Sequence, residues 1–282
     1  MQLFPVLGNH QKLDGGAMFG NVPKALWQQW ITPDQQNRID LACRGLLVKT
    51  QGKNILLETG IGAFFPEKLR QRYGIVESHH VLLDSLRTLG CPEAEIDIVI
   101  LSHLHFDHAG GLLSTYQKDK GPELIFPNAQ FIISDKAWQR AINPHPRDKA
   151  SFIPQLQPLL EQSGRLHLQQ QSTCSLLGEN FKFHFNDGHT QGMMLTEIKT
   201  EQGPLLFAAD LIPGIPWVHL PVTMGYDRAP ELLIDEKLEI LSYLVNTQGR
   251  LFYTHDKDFA VSEIEKDETG KFIVKNPSNI LI

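Results

Sequence analysis

Nowhere in its 282 residues does the chain hold an apolar run of about 18 residues, the length at which a helix spans a bilayer, so no membrane segment is expected. Its first stretch, MQLFPVLGNHQKLDGG, lacks the basic start and apolar middle of a secretion signal, and the expected compartment is the cytoplasm. Cysteine is scarce. Cys43, Cys91 and Cys174 are odd in number, far apart and outside any C-x-x-C pair that would suggest a zinc ribbon or a redox motif, and they read as buried thiols rather than ligands. Positive charge is also in deficit: 26 Lys and Arg against 32 Asp and Glu give a formal net charge of −6, with no basic stripe that would neutralise phosphates, so nucleic acid is not an expected partner. No low-complexity tract or shift in composition marks a linker. With 41% hydrophobic and 21% charged residues, a single domain over 1–282 with an N-terminal arm over about 1–35 is the expectation.

Along the chain, IDLACRGLLVKTQGKNILLE (Ile39 to Glu58) gives two β-rich runs around TQGKN, a hairpin pattern that ends in the glycine-punctuated ETGIG. Apolar residues at helical spacing predict a helix over Val76 to Leu89, stopped by Gly90 and Pro92. IDIVILS then reads as a strand buried on both faces. AQFIIS (Ala129 to Ser134) predicts another strand, leading into a helix DKAWQRAI that Asp135 could cap. A helical region near Phe152 to Gln162 follows, then strands FKFHF, MMLTEIK and PLLFAA, a helix over Ala229 to Asn246 and a strand RLFYT. The second half thus repeats the first half's order of strands, loop and helix, as two sheets with helices outside would.

The richest chemistry sits at LSHLHFDHAGGLL, residues 101 to 113, which places His103, His105, Asp107 and His108 directly after a candidate strand. In an extended or tight-loop segment His103 and His105 point to one side, so one ion can take both, while Asp107 and His108 follow the turn towards a neighbouring position. Ala109, Gly110 and Gly111 would let the backbone approach closely and begin a helix. Three more donors stand where candidate strands end: His189 in NDGHTQG, Asp210 in LLFAADLIPG and His255 in LFYTHDKD. Seven donors suit two ions better than one. Imidazole and carboxylate without thiolate point to zinc, with manganese, iron or cobalt also open.

HLHFDH followed by His189, Asp210 and His255 resembles the metallo-β-lactamase superfamily, whose pattern H-x-H-x-D-H, H, D, H is matched in order. The resemblance implies an α/β fold, an αββα sandwich. It also implies a dinuclear site with His103, His105 and His189 on one metal, Asp107, His108 and His255 on the other, and Asp210 bridging. Glu58 in LLETG replaces the family's usual aspartate beside the site. GGAMFGNVPKALWQQW (Gly15 to Trp30) and DGHTQGMM are further similar to the YtnP-like quorum-quenching lactonases and, more distantly, to methyl parathion hydrolases. Some acyl-homoserine lactonases of the superfamily carry a tyrosine three positions after the bridging aspartate, where this chain has Pro213.

The expected enzyme is therefore a metal-dependent hydrolase that opens a lactone or other small ester by attack of a metal-bridging hydroxide, with Asp107 and Asp210 as the catalytic carboxylates and Asp107 passing a proton to the leaving alkoxide. The same site could serve phosphotriesters or thioesters. A mononuclear iron oxygenase or a non-catalytic metal module fits seven donors less well. Candidate substrate contacts are Met18, Phe19, Trp27, Phe106, Trp217 and His219; the remaining histidines, His10, His79, His80, His145, His167 and His184, read as surface or satisfied structural residues. The apolar LWQQW is compatible with a homodimer contact or a lid.

Overall fold

Gln51 and Gly52, both at positive φ (50° and 72°), turn the chain back on itself with a two-residue loop, the connection whose twist matches paired antiparallel strands. The computed structural model describes residues 1–281. The turn joins β2 (Arg44–Thr50) to β3 (Lys53–Leu57), as the sequence predicts. With β1 (Gln2–Leu7), β4 (Ile98–Ile100), β5 (Gln130–Ser134) and β6 (Leu166–Gln169) they form a six-stranded sheet in the order β1-β2-β3-β4-β5-β6. It is antiparallel from β1 to β3 and parallel from β3 onward. Ile98, Val99 and Ile100 are all buried, as a parallel strand covered on both faces requires.

Helix α1 (Val81–Thr88) packs Leu82 and Leu86, and α2 (Asp135–Ile142) packs Ala137, Trp138 and Ala141, into one core with Leu47, Leu56, Val99 and Phe131. Two details differ from expectation. The α1 helix begins at Val81 rather than Val76, because Asn9 intervenes: its side-chain amide donates to the carbonyl of His79 at 2.6 Å and its oxygen accepts from the N–H of Val81. The cap of α2 is Ser134, whose hydroxyl accepts from the Ala137 N–H at 2.9 Å, and Asp135 lies one residue inside.

This sheet belongs to a compact unit made of residues 1–12 and 41–170; a second unit comprises 13–40 and 171–281. Residues of the expected N-terminal arm are thus divided between the two. In the second unit β7 (Phe181–Asn186), β8 (Met193–Thr200), β9 (Gly203–Phe207), β10 (Arg250–Phe252), β11 (Val261–Lys266) and β12 (Phe272–Ser278) form another six-stranded sheet, in the reverse order β12 to β7. Only β9 and β10 run parallel, and α4 (Pro230–Thr247) makes the crossover between them. Helix α3 (Leu156–Gln162) completes the first unit and buries Leu156 and Leu160. Among the described residues no helix is long and apolar enough to cross a membrane.

One buried histidine makes the first unit acid-sensitive. His80, 6% exposed, faces the Gly111 carbonyl through Nε2 at 3.1 Å, and burial holds its pKa below the ordinary value. The folded ring stays neutral where an unfolded one takes up a proton, so stability is lost as pH falls through about 6.5 towards the folded-state pKa. In chelator-treated protein, melting temperature measured between pH 7 and 5 is expected to fall less for His80→Gln than for the wild type.

Candidate metal centre

Strand ends place every candidate donor. In the first unit β3 ends directly before Glu58, which sits at a φ of 63°, a left-handed conformation that costs a side-chain-bearing residue about 1–3 kcal/mol. The reward is two short bonds. Glu58 Oε1 accepts from the Ser102 N–H and Oε2 from His108 Nδ1, each at 2.7 Å and both essentially out of solvent. A carboxylate can only accept, so Nδ1 of His108 carries the proton and Nε2 keeps its lone pair for a metal. That Nε2 lies 3.9 Å from Asp107 Oδ1.

Beyond β4, His103 Nδ1 meets the Ser102 hydroxyl at 2.9 Å, while His103 Nε2 and His105 Nδ1 stand 3.0 Å apart, their rings edge to face. The glycines do what the sequence implies: a Cβ on Gly111 would lie 2.0 Å from the Thr59 carbonyl oxygen. The one-turn helix Phe106–Ala109, however, starts before them, with His105 at its N-terminal boundary. The Thr59 N–H and hydroxyl both donate to the His108 carbonyl at 3.0 Å, fastening this turn to the end of β3.

The second unit carries a matching arrangement. His189, in the β7 to β8 turn, presents Nδ1 to Asp227 Oδ1 at 2.9 Å, and the other Asp227 oxygen accepts from the Met224 N–H at 2.6 Å. Asp210 follows β9 behind Ala209, whose φ of 44° is again left-handed, and its two oxygens reach different rings: Oδ2 to His189 Nε2 and Oδ1 to His255 Nε2, each at 3.2 Å. The His255 N–H donates to the Pro213 carbonyl at 2.8 Å, tying the two donor loops together.

These distances fit metal ions. A tetrahedral ion with bonds of about 2.0–2.2 Å holds its donors about 3.3–3.6 Å apart, close to the 3.0–3.2 Å seen between donors within each unit. His189 supplies a sharper test. With its proton fixed on Nδ1 by Asp227, a neutral ring aims a lone pair at a carboxylate oxygen, a repulsion that a cation between them reverses.

The candidate substrate contacts differ in their surroundings. Met18, Phe19, Trp27 and Trp217 are 0–2% exposed and belong to one cluster: Phe19 stacks on Trp27 and Trp217, and the Trp217 indole N–H donates to the Met18 carbonyl. Direct contact with a ligand would require that cluster to open. His219 is exposed. Phe106, half-buried, packs against Tyr73 and Phe65. Of the six histidines read as structural, His10, His80, His167 and His184 face Glu77, Gly111, Gln130 and Glu197. Asp227, Ser102 and Thr59 escape a reading of the sequence, since a lone polar residue in a loop carries no spacing that marks it.

Residues 40–255 match the metallo-β-lactamase superfamily. The chain superposes over 99% of its length on 98% of a probable metal-dependent hydrolase from Staphylococcus aureus, with a TM-score of 0.85 and 26% identity. Over the same share it superposes on 95% of AidC, a dizinc quorum-quenching lactonase solved with a product, with a TM-score of 0.78 and 26% identity. An RNase J-like protein of Methanocaldococcus jannaschii is 26% identical over 141 residues, 50% of this chain but 31% of that one. The chain therefore spans about a third of that curated relative's length.

Glu58→Gln tests the tautomer argument. An amide can accept from only one of the two N–H groups and turns its own NH2 on the other, so metal retention in a chelator competition is expected to weaken about 10–100-fold.

Proposed function

We propose, from the premise that the chain belongs to the metallo-β-lactamase superfamily, that it is a dinuclear metal-dependent hydrolase whose substrates are lactones of the acyl-homoserine-lactone kind. The observation that carries the reading is Asp210, one carboxylate whose two oxygens address two different imidazole nitrogens, as a ligand shared by two ions must. On this reading His103, His105 and His189 would hold one ion and Asp107, His108 and His255 the other, with Asp210 as the shared ligand. The all N and O donor set favours zinc, with manganese, iron or cobalt as alternatives. When bound, such a pair supplies Lewis acidity at the carbonyl and water ionised near neutral pH.

The chain's own residues supply the rest. Glu58 and Asp227 fix which nitrogen of His108 and His189 is free. Asp107, with a side chain 15% exposed, is a donor that can reach a leaving group, and its carboxylate would take the proton of the attacking water and pass it to the departing alkoxide. Pro213 has no hydroxyl to polarise a carbonyl; its own carbonyl is engaged with the His255 N–H.

Selection of the substrate rests with the first unit. A cavity of about 860 Å3 there is lined by Phe64, Phe65, Tyr73, Tyr116 and Phe152 among others. Two of its walls lead back to the donors: the Phe152 ring lies 5.0 Å from that of His105, and Phe65 meets Phe106 edge-on at 5.6 Å. An apolar acyl or aryl group attached to the reacting ring suits this space. AidC and the S. aureus hydrolase, each alike over nearly the whole chain, support the assignment.

Each buried methylene contributes about 0.8 kcal/mol, so kcat/KM across a lactone series is expected to rise about fourfold per CH2 until the cavity is filled, mostly through KM. Phe152→Ala should flatten that trend while leaving short-chain lactones little changed. Failure to open any lactone, with efficient turnover of phosphotriesters or thioesters, would move the chain to those substrates. Asp210→Asn keeps the shape of the side chain but halves its donors; it is expected to unfold at nearly the wild-type temperature while losing more activity than the roughly 10–100-fold typical of outer-sphere changes. Elemental analysis giving one ion per chain in wild type, unchanged in His255→Ala, would overturn the two-ion assignment.

A further inference from the structure

Helix α4 meets the loops around His189 with an unusual set of groups. At Leu233 its backbone lies so close to Gly188 that a Cβ there would sit 2.5 Å from the Leu233 Cα. One turn on, the Glu236 carboxylate accepts from the N–H groups of Asp187 at 2.7 Å and Gly188 at 3.1 Å, the two residues that precede His189. The next residue, Lys237, is 0% exposed and its ammonium donates to the carbonyls of His219, Leu220 and Val222 at 3.1, 3.1 and 2.9 Å. That loop runs on to Met224, whose N–H donates to Asp227 Oδ2, and to Asp227 itself, whose Oδ1 holds His189 Nδ1. It then closes on the same turn, where the N–H of Arg228 donates to the carbonyls of Gly188 and His189 and the N–H of Ala229 to that of Gly188.

Docking the helix would need none of these charges. A methionine or leucine at 237 fills similar volume, whereas a buried ammonium has left water, and burial holds its pKa down to about 7 against the pull of the Asp227 charge. What the charges reach is specific: donors just before the imidazole on one side, and acceptors just before its carboxylate on the other. We propose that Glu236 and Lys237 are positioning residues that set the His189–Asp227 pair in register, acting on the metal centre through two stretches of backbone and not by touching it. The proposal rests on the assignment of His189 as a metal ligand.

The test uses the full chain loaded with zinc, and reads zinc retention in a chelator competition, kcat, KM and the melting temperature of the chelated protein for Lys237→Met, Lys237→Arg and Glu236→Gln, beside His189→Ala. Positioning predicts that Lys237→Met and Glu236→Gln release zinc about 10–100-fold more readily and lose kcat, with KM within about twofold. It also predicts that excess zinc restores part of the rate, and that Lys237→Arg, which keeps the charge, is milder than Lys237→Met. Folded variants that melt lower yet retain zinc and kcat like the wild type would overturn the proposal and leave the two residues a role in docking the helix. If Lys237→Met does not fold, Glu236→Gln and Lys237→Arg carry the same readout. His189→Ala with undiminished zinc would instead overturn the ligand assignment beneath it.

Discussion

Two of the candidate donor imidazoles are held by a buried carboxylate on Nδ1, and the chemistry proposed for each donor cluster depends on that bond. A neutral histidine can present either ring nitrogen, and a free ring can turn over. Glu58 on His108 and Asp227 on His189 remove both freedoms, at 2.7 and 2.9 Å, in pairs with side chains no more than 1% exposed, so water does not compete for them. Burying a carboxylate is costly, and each spends its second oxygen on a backbone N–H, Ser102 for Glu58 and Met224 for Asp227. The same bonds that settle the tautomer thus also satisfy the carboxylate.

That arrangement asks the backbone for conformations it does not favour. Glu58 and Ala209 both occupy the left-handed region, each where a strand has just ended and a donor loop begins. Gly111 and Gly188 solve the opposite problem, space: Gly111 lies against Thr59 and Gly188 against Leu233, and neither leaves room for a Cβ. Strain thus sits at the ends of β3 and β9, and close packing at the two turns that carry His108 and His189. In the first sheet the donors follow β4, one of its parallel strands, and in the second Asp210 and His255 follow β9 and β10, its parallel pair, at the C-terminal ends where open α/β sheets gather ligands.

Much of this is legible in the amino-acid sequence. The β2 to β3 hairpin is specified by a turn of two residues, both at positive φ, and the seven donors by their residue types and their position after apolar runs. Local signals fail where a distant residue intervenes. Asn9 takes over the start of α1 from some seventy residues away, a contact invisible to helical periodicity. Strands β11 and β12 escape a pattern of apolar runs because VSEIEK and FIVKNPS carry too many polar residues to read as core. Asp227 and Lys237 are hidden for a related reason: a buried charge declares itself only through its partners, and the distant ones here are the His189 ring for Asp227 and the carbonyls of His219, Leu220 and Val222 for Lys237.

Large apolar side chains fall into two groups in this chain, those packed among themselves and those that border open space. Phe19, Trp27 and Trp217 look like a binding surface in a list of large apolar side chains, yet their rings satisfy one another and the Trp217 indole already has its acceptor. The aromatics that border the cavity of the first unit, Phe64, Phe65, Tyr73, Tyr116 and Phe152, fall in segments with no ligand motif of their own. What links them to the donors is the neighbour of each: Phe152 packs on the His105 ring, and Phe65 and Tyr73 on Phe106, which stands between His105 and Asp107 in the chain. Phe106 therefore couples a rigid donor turn to an apolar wall within one compact unit, so the space offered to an apolar group is fixed relative to the groups around the reacting atoms. An apolar wall of this kind binds ground state and transition state alike, so on the proposed reading it would discriminate chain length in binding and leave the rate of bond breaking to the histidines and aspartates.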